Sequence, residues 1–545
     1  MAGTRRALVA IAAALALADA SIVALALPPI LVEFDTTITG AAAIVGVYAL
    51  VLAACIWPAR ALRPGPAGLL LFAAASIGCA VAPNLWVMLG FRALQAAGAA
   101  AALLTAFHVL EAGDSRAGRR WWLGAALIGT AAGPAIGGVL TEAFDWRAIF
   151  VVQVPLALAA AWACRATPTP AGREKPAGAA RSREWPAAPA VAGPVSWPNL
   201  AALAFTAAAF TAVLFLLVIE LVAGFAISPL RAALGVSVLP LAALAAAALP
   251  GSVDIRALGG ALLLAGGAAA LAFLPAASVA WTLVPQILAG AGMGLALPAL
   301  SPERDLEEAA RTLVARHVGI VLVLAILAPI ATAQLTRATD EAILKGASLV
   351  LDAQIDPLKK LQLAPALLDD IDTDAPRETL DQAVDAQRGG FADSADVYDR
   401  LGQRLDDVVV AAVLEAFRVA YLIAAALALL AALIYVRLFR RPAILLAAAV
   451  AVGAAVVYAT EARSDRTPSV TLADPCDPRE VPGASGLSGE IQARVLAQLN
   501  EAACKVGVSR EELALAIFDE GRAADFEREH GVDPRSTINL LSLLG

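Results

Sequence analysis

Charge is scarce in this chain. Only 16% of its 545 residues are Asp, Glu, Lys or Arg, against about 25% in soluble domains, which excludes a protein whose main solvent is water. Cysteine is scarce as well, with five residues. Cys55, Cys79 and Cys164 stand in or at the end of apolar runs, where a lone cysteine serves as a small hydrophobe. No group of residues has metal-ligand spacing. The sequence also lacks a nucleophile paired with a base, a phosphate-binding loop, or any other catalytic constellation. The expectation is therefore a protein that is not an enzyme, with no catalytic residues, cofactor or metal and no nucleic-acid partner.

What fills the chain is hydrophobic: 60% of residues are apolar and the mean hydropathy is +0.75. Runs such as 7–31 and 409–436 match the ~20 residues that cross a ~30 Å hydrocarbon core. Read against Pro, Gly and charged breaks, the sequence predicts spans at 7–31, 39–59, 67–82, 85–107, 121–142 and 148–164. A Pro-rich stretch at 165–197 then reads as a tether. Further spans follow at 198–222, 230–250, 257–274, 280–299, 313–335, 409–436 and 442–459. Arg5, Arg6 and the Ala18-Asp19-Ala20 triplet imitate a secretory signal with its cleavage site, but the apolar run continues to Leu31 and is long enough to span.

The net charge of -7 divides unevenly. Segment 336–408 holds 16 acidic and 8 basic residues and segment 460–545 holds 15 and 9, leaving 16 acidic and 23 basic residues elsewhere. The bases fall in alternate loops: Arg60 and Arg63, Arg116, Arg119 and Arg120, Arg165 to Arg183, Arg256, Arg304 and Arg311, and Arg437, Arg440 and Arg441. The opposite loops have only Arg147 and Arg231 near their edges. The positive-inside rule places the N-terminus and the tether in the cytoplasm of a plasma-membrane protein, with the acidic segments outside.

Two ionisable residues lie deep in the first six spans. Asp19 is in the first and Arg92 in the fourth, roughly 18 and 11 Å from the outer surface at ~1.5 Å per residue. Such residues are costly in lipid and face a cavity or a partner. Asp19 and Arg92 either line one outer-half cavity, with Asp19 exchanging a proton, or form a fixed pair that sets helix register. Gln95, Gln153, Glu220 and Gln286 are candidate cavity residues. In the fifth span, Gly129, Gly133, Gly137 and Gly138 surround Pro134. That arrangement gives a small face for close helix approach and a position that permits a bend, and a pure packing role fits it equally. Arg92 precedes Gly98 by the same six positions that separate Gln286 from Gly292, as in two parallel six-helix repeats with a cargo site between them.

These residues resemble the major facilitator superfamily, and within it the drug:proton antiporter branch that usually has fourteen helices. DASIVALALPPI at 19–30 is similar to the first-helix motif and RALQAAGAA at 92–100 to the fourth-helix motif. GTAAGPAIGG at 129–138, followed by DWRAIFVVQVPLAL at 145–158, resembles the antiporter motif of the fifth helix and the entry to the sixth. ISPLRAALGVSVLP at 227–240 resembles the loop into the eighth. The resemblance implies an acidic proton-coupling residue at Asp19, a polar coupling residue at Arg92 and a bending, leak-preventing element at Gly133, Pro134, Gly137 and Gly138. It also implies an all-α polytopic membrane fold of two six-helix bundles, at 1–164 and at 198–335 with 409–436. The chain departs from the pattern in the loop between the second and third helices, which latches the inward-closed state in the family. Here Leu62 takes its acidic position and Pro66 a basic one. The branch's two additional central helices give way to the 165–197 linker, while 442–459 is an added thirteenth span.

Segment 336–408 reads as a helical extracytoplasmic insert: either a cap whose charge attracts cationic cargo or a solvated acidic loop. Segment 460–545 reads as an exported tail domain of short helices. Cys476 and Cys504 lie outside the apolar spans. In an oxidising compartment they pair as a disulfide; the other reading is two unrelated thiols in a cytoplasmic tail. The expected function is a proton-coupled exporter of amphipathic, drug-like or lipid-like small molecules by alternating access. Its partners are then cargo, protons and the lipid bilayer, with envelope proteins met through the insert and tail. The alternative is a non-transporting membrane scaffold or sensor that presents those two modules.

Overall fold

The computed structural model describes residues 2–63, 65–112, 115–165, 196–301, 304–355, 360, 363, 367, 371, 375–438, 470, 472–477 and 486–537. The 442–459 span and nearly all of the 165–197 linker lie outside the described residues, which contain helices and no strand. The first half comprises α1 (Ala2–Ala24), α2 (Leu27–Glu33), α3 (Ile38–Leu62), α4 (Pro66–Ala80), α5 (Leu85–Val109), α6 (Arg116–Ala143) and α7 (Ala148–Arg165). The second half comprises α8 (Trp197–Ile219), α9 (Pro229–Val236), α10 (Val238–Ala247), α11 (Val253–Leu271), α12 (Val279–Leu300), α13 (Leu306–Asp352), α14 (Pro376–Gln387) and α15 (Ala395–Leu438). The tail adds α16 (Gly486–Val506), α17 (Arg510–Phe518) and α18 (Glu520–His530).

Among the described residues, eight helical stretches, with α9 and α10 taken together as Pro229–Ala247, are long and apolar enough to cross a membrane, and Pro66–Ala80 and Ala148–Cys164 are shorter apolar helices. Local chemistry sets the helix ends. Asn84 Oδ1 accepts from Val87 N–H to open α5, and Ser115 Oγ accepts from Gly118 N–H to open α6. Prolines occupy the first turns of α2, α4, α8 and α9, where a missing N–H costs nothing. The span expected at 7–31 is two helices, because the chain turns at Leu25–Ala26 ahead of Pro28 and Pro29. The span expected at 230–250 is likewise divided between α9 and α10 at Ser237, three residues before Pro240.

The chain forms two compact units. The first comprises Met1–Val222, Ile227–Thr332 and Phe417–Ser464. One of its cores gathers alanine-rich faces of α1, α3, α4, α5, α6 and α7 and takes in Ala309, Ala310 and Leu313 of α13. Another joins α8, α11, α12 and α15 through Leu203, Ala261, Ala296 and Ala432. Small side chains let these helices approach closely, which is how packing is gained where lipid offers no hydrophobic driving force.

The second unit comprises Ala223–Ala226, Ala333–Ala416 and Asp465–Gly545, so insert and tail, separate modules in the sequence, belong to one body. Leu351 shares an apolar cluster with Leu496, Leu499, Leu513, Ala514 and Phe526. Beside it, buried Arg510 pairs with Asp352 at 3.1 Å and with buried Glu511 at 2.7 Å. Lys360 Nζ donates to the Leu351 carbonyl at 2.8 Å. Within the insert, Arg377 makes a forked pair with Asp406, at 2.6 and 3.0 Å. Cys476 and Cys504 are joined by a disulfide, with Cα atoms 5.0 Å apart.

Candidate functional site

Five helices of the first half bring six polar side chains together in its interior. Asp19 comes from α1, Tyr48 from α3, Ser76 from α4, Arg92 and Gln95 from α5, and Gln153 from α7; all are buried. Arg92 and Gln95, three residues apart, share one face of α5. Arg92 Nη2 lies 2.6 Å from Asp19 Oδ2, an ion pair in which neither side chain is exposed. Arg92 Nη1 donates to Gln95 Oε1 at 2.6 Å, and its Nε donates to the Ile44 carbonyl at 3.2 Å. Gln95 Nε2 donates to Gln153 Oε1 at 2.8 Å and to Ser76 Oγ at 2.9 Å. Gln153 Nε2 donates to Asp19 Oδ1 at 3.3 Å. The ring Asp19–Arg92–Gln95–Gln153 is thereby closed.

Aromatic faces complete the enclosure of the guanidinium. Arg92 Cζ lies 4.4 Å from the Tyr48 ring centroid and 5.9 Å from that of Phe150, distances at which a ring quadrupole attracts a cation. Tyr48 Oη donates to the Ala16 carbonyl at 3.0 Å, which fixes the ring plane. The site is electrically neutral as a whole and polar only toward itself. Neutrality is what makes two charges tolerable at that depth.

The glycines of α6 pack against the helix that carries Asp19. A Cβ at Gly129 would meet the Ala14 backbone, one at Gly133 would meet Ser21 Oγ, and one at Gly137 would meet the Ile22 carbonyl. Gly138 faces Ala233 of α9, so α6 contacts α1 with one part of its small face and the second half with another. Pro134 sits inside α6 between these contacts.

Gln95 and Gln153 join the Asp19 ring. Glu220 and Gln286 bond within the second half. Glu220 opens a wide π turn, Glu220–Gly224, that ends the α8 run. Its carboxylate accepts from Tyr421 Oη of α15 at 2.6 Å, and both residues are buried. Gln286 Nε2 donates to Thr282 Oγ1 at 2.8 Å, and the buried Gln286 Oε1 has no hydrogen-bond partner among the described residues. The sequence reading passed over Tyr48, Ser76, Phe150 and Tyr421, because hydroxyls and rings are ordinary inside spans.

Two further features join the halves. A small cavity between α1, α6, α12 and α13 is lined by Leu17, Trp122, Ala126, Leu297 and Thr312, and Leu17 is two residues from Asp19. At the other end of α3, Arg60 pairs with Glu307 of α13 at 3.2 Å, and Glu307 also pairs with Arg311. In the nearby loop α3 ends at Leu62, which is exposed, and Arg63 adopts the left-handed conformation with φ 49° before α4 begins at Pro66.

A family model described as Major Facilitator Superfamily matches residues 9–302, more than half of the chain. Multidrug resistance protein Stp of Mycobacterium tuberculosis is 35% identical over 150 residues, 25% of this chain and 28% of Stp. Multidrug efflux pump LfrA of Mycolicibacterium smegmatis is 35% identical over 152 residues, 26% of this chain and 30% of LfrA. The matches thus span under a third of the length of these relatives. A crystal structure of a bacterial homolog of the human lysosomal transporter Spinster, inward-facing and unoccupied, is similar in fold. Its TM-score is 0.51 at 16% identity, over 81% of this chain and 99% of that one.

Proposed function

This polytopic chain belongs to the major facilitator superfamily, and from that membership we propose that it is a proton-coupled exporter of amphipathic small molecules, drug-like or lipid-like, working by alternating access. The observation that carries the reading is the closed, buried ring around Asp19 and Arg92. Separating two buried charges costs several kcal/mol. A proton added to an Asp19 carboxylate oxygen removes the attraction that holds the pair, because neutral Asp19 no longer acts as the counter-ion of Arg92, and the guanidinium is then driven to seek water or another anion. Proton uptake and the loosening of α1 from α5 then occur together, and proton loss closes the ring again. Since α6 packs on α1 through Gly129, Gly133 and Gly137 and meets α9 at Gly138, a shift of α1 reaches the boundary between the halves. The similarity to Stp and LfrA, named for multidrug resistance and multidrug efflux, supports small-molecule export.

The orientation belongs to the same proposal. The arginine bias of alternate loops supports an N-terminus inside and an insert outside. The core shared by Leu351 with tail residues supports a tail on the insert's side, which requires a further crossing between α15 and α16.

A non-transporting scaffold that presents the insert and tail is the competing reading, favoured by Leu62 and Pro66 in the latch loop. Proteoliposomes with an imposed proton gradient separate the two. Transport predicts gradient-dependent flux of an amphipathic cargo that Asp19→Asn abolishes. Absence of flux for every cargo tried, with full biological activity of Asp19→Asn, would establish the scaffold instead.

A further inference from the structure

The Asp145–Trp146–Arg147 stretch at the entry to α7 lies outside the buried ring, yet it is connected to it. Arg147 makes a forked pair with Glu33 at the end of α2, its Nη1 donating to Oε2 at 2.9 Å and its Nη2 to Oε1. The same guanidinium lies 4.3 Å from the Trp146 ring centroid. Trp146 Nε1 donates to Glu33 Oε2 at 2.5 Å, which fixes the buried indole in its plane. Phe34 meets that indole edge-on at 5.6 Å, and the indole meets the buried Phe150 edge-on at 6.2 Å. Phe150 in turn faces Arg92. Contacts therefore run unbroken from the exposed Glu33 to the buried guanidinium.

The partners of Arg92 differ in what holds them. Asp19 belongs to α1, and Tyr48 is anchored to α1 through the Ala16 carbonyl, so both loosen when that helix does. Gln95 and the Ile44 carbonyl accept from N–H groups of the guanidinium and leave its face to the aromatic rings. Phe150 is supported by Trp146 and, through the indole, by Glu33, which lies on α2 beyond the turn at Leu25–Ala26. We infer that Phe150, oriented by Trp146 and Glu33, is the positioning residue that keeps the Arg92 guanidinium in place while Asp19 is protonated. A ring face attracts a cation without being its counter-ion, so α1 is released without the arginine escaping toward water. The turn at Leu25–Ala26 takes up the movement of α1 while α2 stays with α7, and the ring closes on the same geometry when the proton leaves. The inference rests on the proton-coupling reading and adds to it the residues that hold the proton-loaded state.

The test uses the full-length protein in detergent, with Asp19→Asn standing in for the protonated carboxyl and phenylalanines bearing one, two or three ring fluorines placed at position 150. Fluorine depletes the negative ring face and barely changes ring volume, so attraction for a cation follows the fluorine count and a packing role does not. In Asp19→Asn the thermal midpoint should fall with each fluorine, by roughly 1–3 °C at three, and in the wild type by less than half as much. Adding Arg92→Met should flatten the series. Trp146→Phe and Glu33→Gln, two independent ways to remove the bond that fixes the indole, should flatten it as well. A flat series in Asp19→Asn, a slope no steeper than in the wild type, or one that persists without Arg92 would overturn the role of Phe150. A slope unchanged by both Trp146→Phe and Glu33→Gln would overturn the outer anchor. No reading here needs cargo or a gradient, so the expected series together with full proton-driven flux in Asp19→Asn would refute the coupling reading and leave the positioning of Arg92 standing.

Discussion

Arg92 uses its whole fork: Nη2 on Asp19, Nη1 on Gln95 and Nε on the Ile44 carbonyl. A lysine would supply the charge but only one point of attachment. Initial proton-driven flux should therefore fall about tenfold in Arg92→Lys and about a hundredfold in Arg92→Ala. Equal loss in both would assign the role to geometry rather than charge, and wild-type flux in both would remove Arg92 from coupling. Asp19 and Arg92 were legible in the sequence because charge in an apolar run is costly, and Gln95 and Gln153 because amides at that depth need partners. The closed ring was not legible. It depends on the registers of α4 and α7 against α5, which Ala- and Gly-rich faces permit in several positions and only tertiary packing settles. For the same reason Gln286 did not join Asp19, although its six-residue spacing to Gly292 repeats that of Arg92 to Gly98.

At the level of elements, α6 offers an internal comparison. A Cβ at Gly137 would run into the Ile22 carbonyl of α1, whereas at Gly124 nothing lies within 4 Å. The first obstacle is backbone and cannot rotate away. Gly137→Ala should lower stability by about 1–3 kcal/mol and reduce flux through displacement of α1. Gly124→Ala should leave both unchanged or improve stability slightly, since alanine is the better helix former. Thermal unfolding of the purified protein and flux in proteoliposomes check the pair, and equal behaviour would show that the glycine face does not set the α1–α6 distance. Spacing puts Gly129, Gly133 and Gly137 on one side of a helix but cannot say which neighbour that side meets. Helix spacing reveals which residues share a side, and packing decides what lies opposite. The turn at Leu25–Ala26 is the reverse case, because Pro28 and Pro29 mark it in the sequence while the unbroken apolar run to Leu31 hides it.

At the level of the whole molecule, insert and tail are distant in sequence yet occupy one unit. The sequence showed two acidic helical segments, but nothing in it ties Leu351 or Asp352 to residues near 500, because a shared core leaves no local periodicity. The proposed export of this unit, together with the Cys476–Cys504 disulfide, leads to a labelling experiment. In intact cells a membrane-impermeant thiol reagent should react with these cysteines only after reduction. Protection in intact reduced cells together with reaction in lysed unreduced cells would place the tail inside. Loss of the bridge in Cys504→Ser should destabilise the tail by about 2–4 kcal/mol, read as faster proteolysis. The shared core also orders events in time. Synthesis runs from the N-terminus, so Leu351 emerges long before Leu513 or Phe526 exists to cover it. The insert must therefore wait with an apolar patch uncovered through the making of α15 and everything up to α17. During that interval the uncovered patch is a surface that a chaperone can protect.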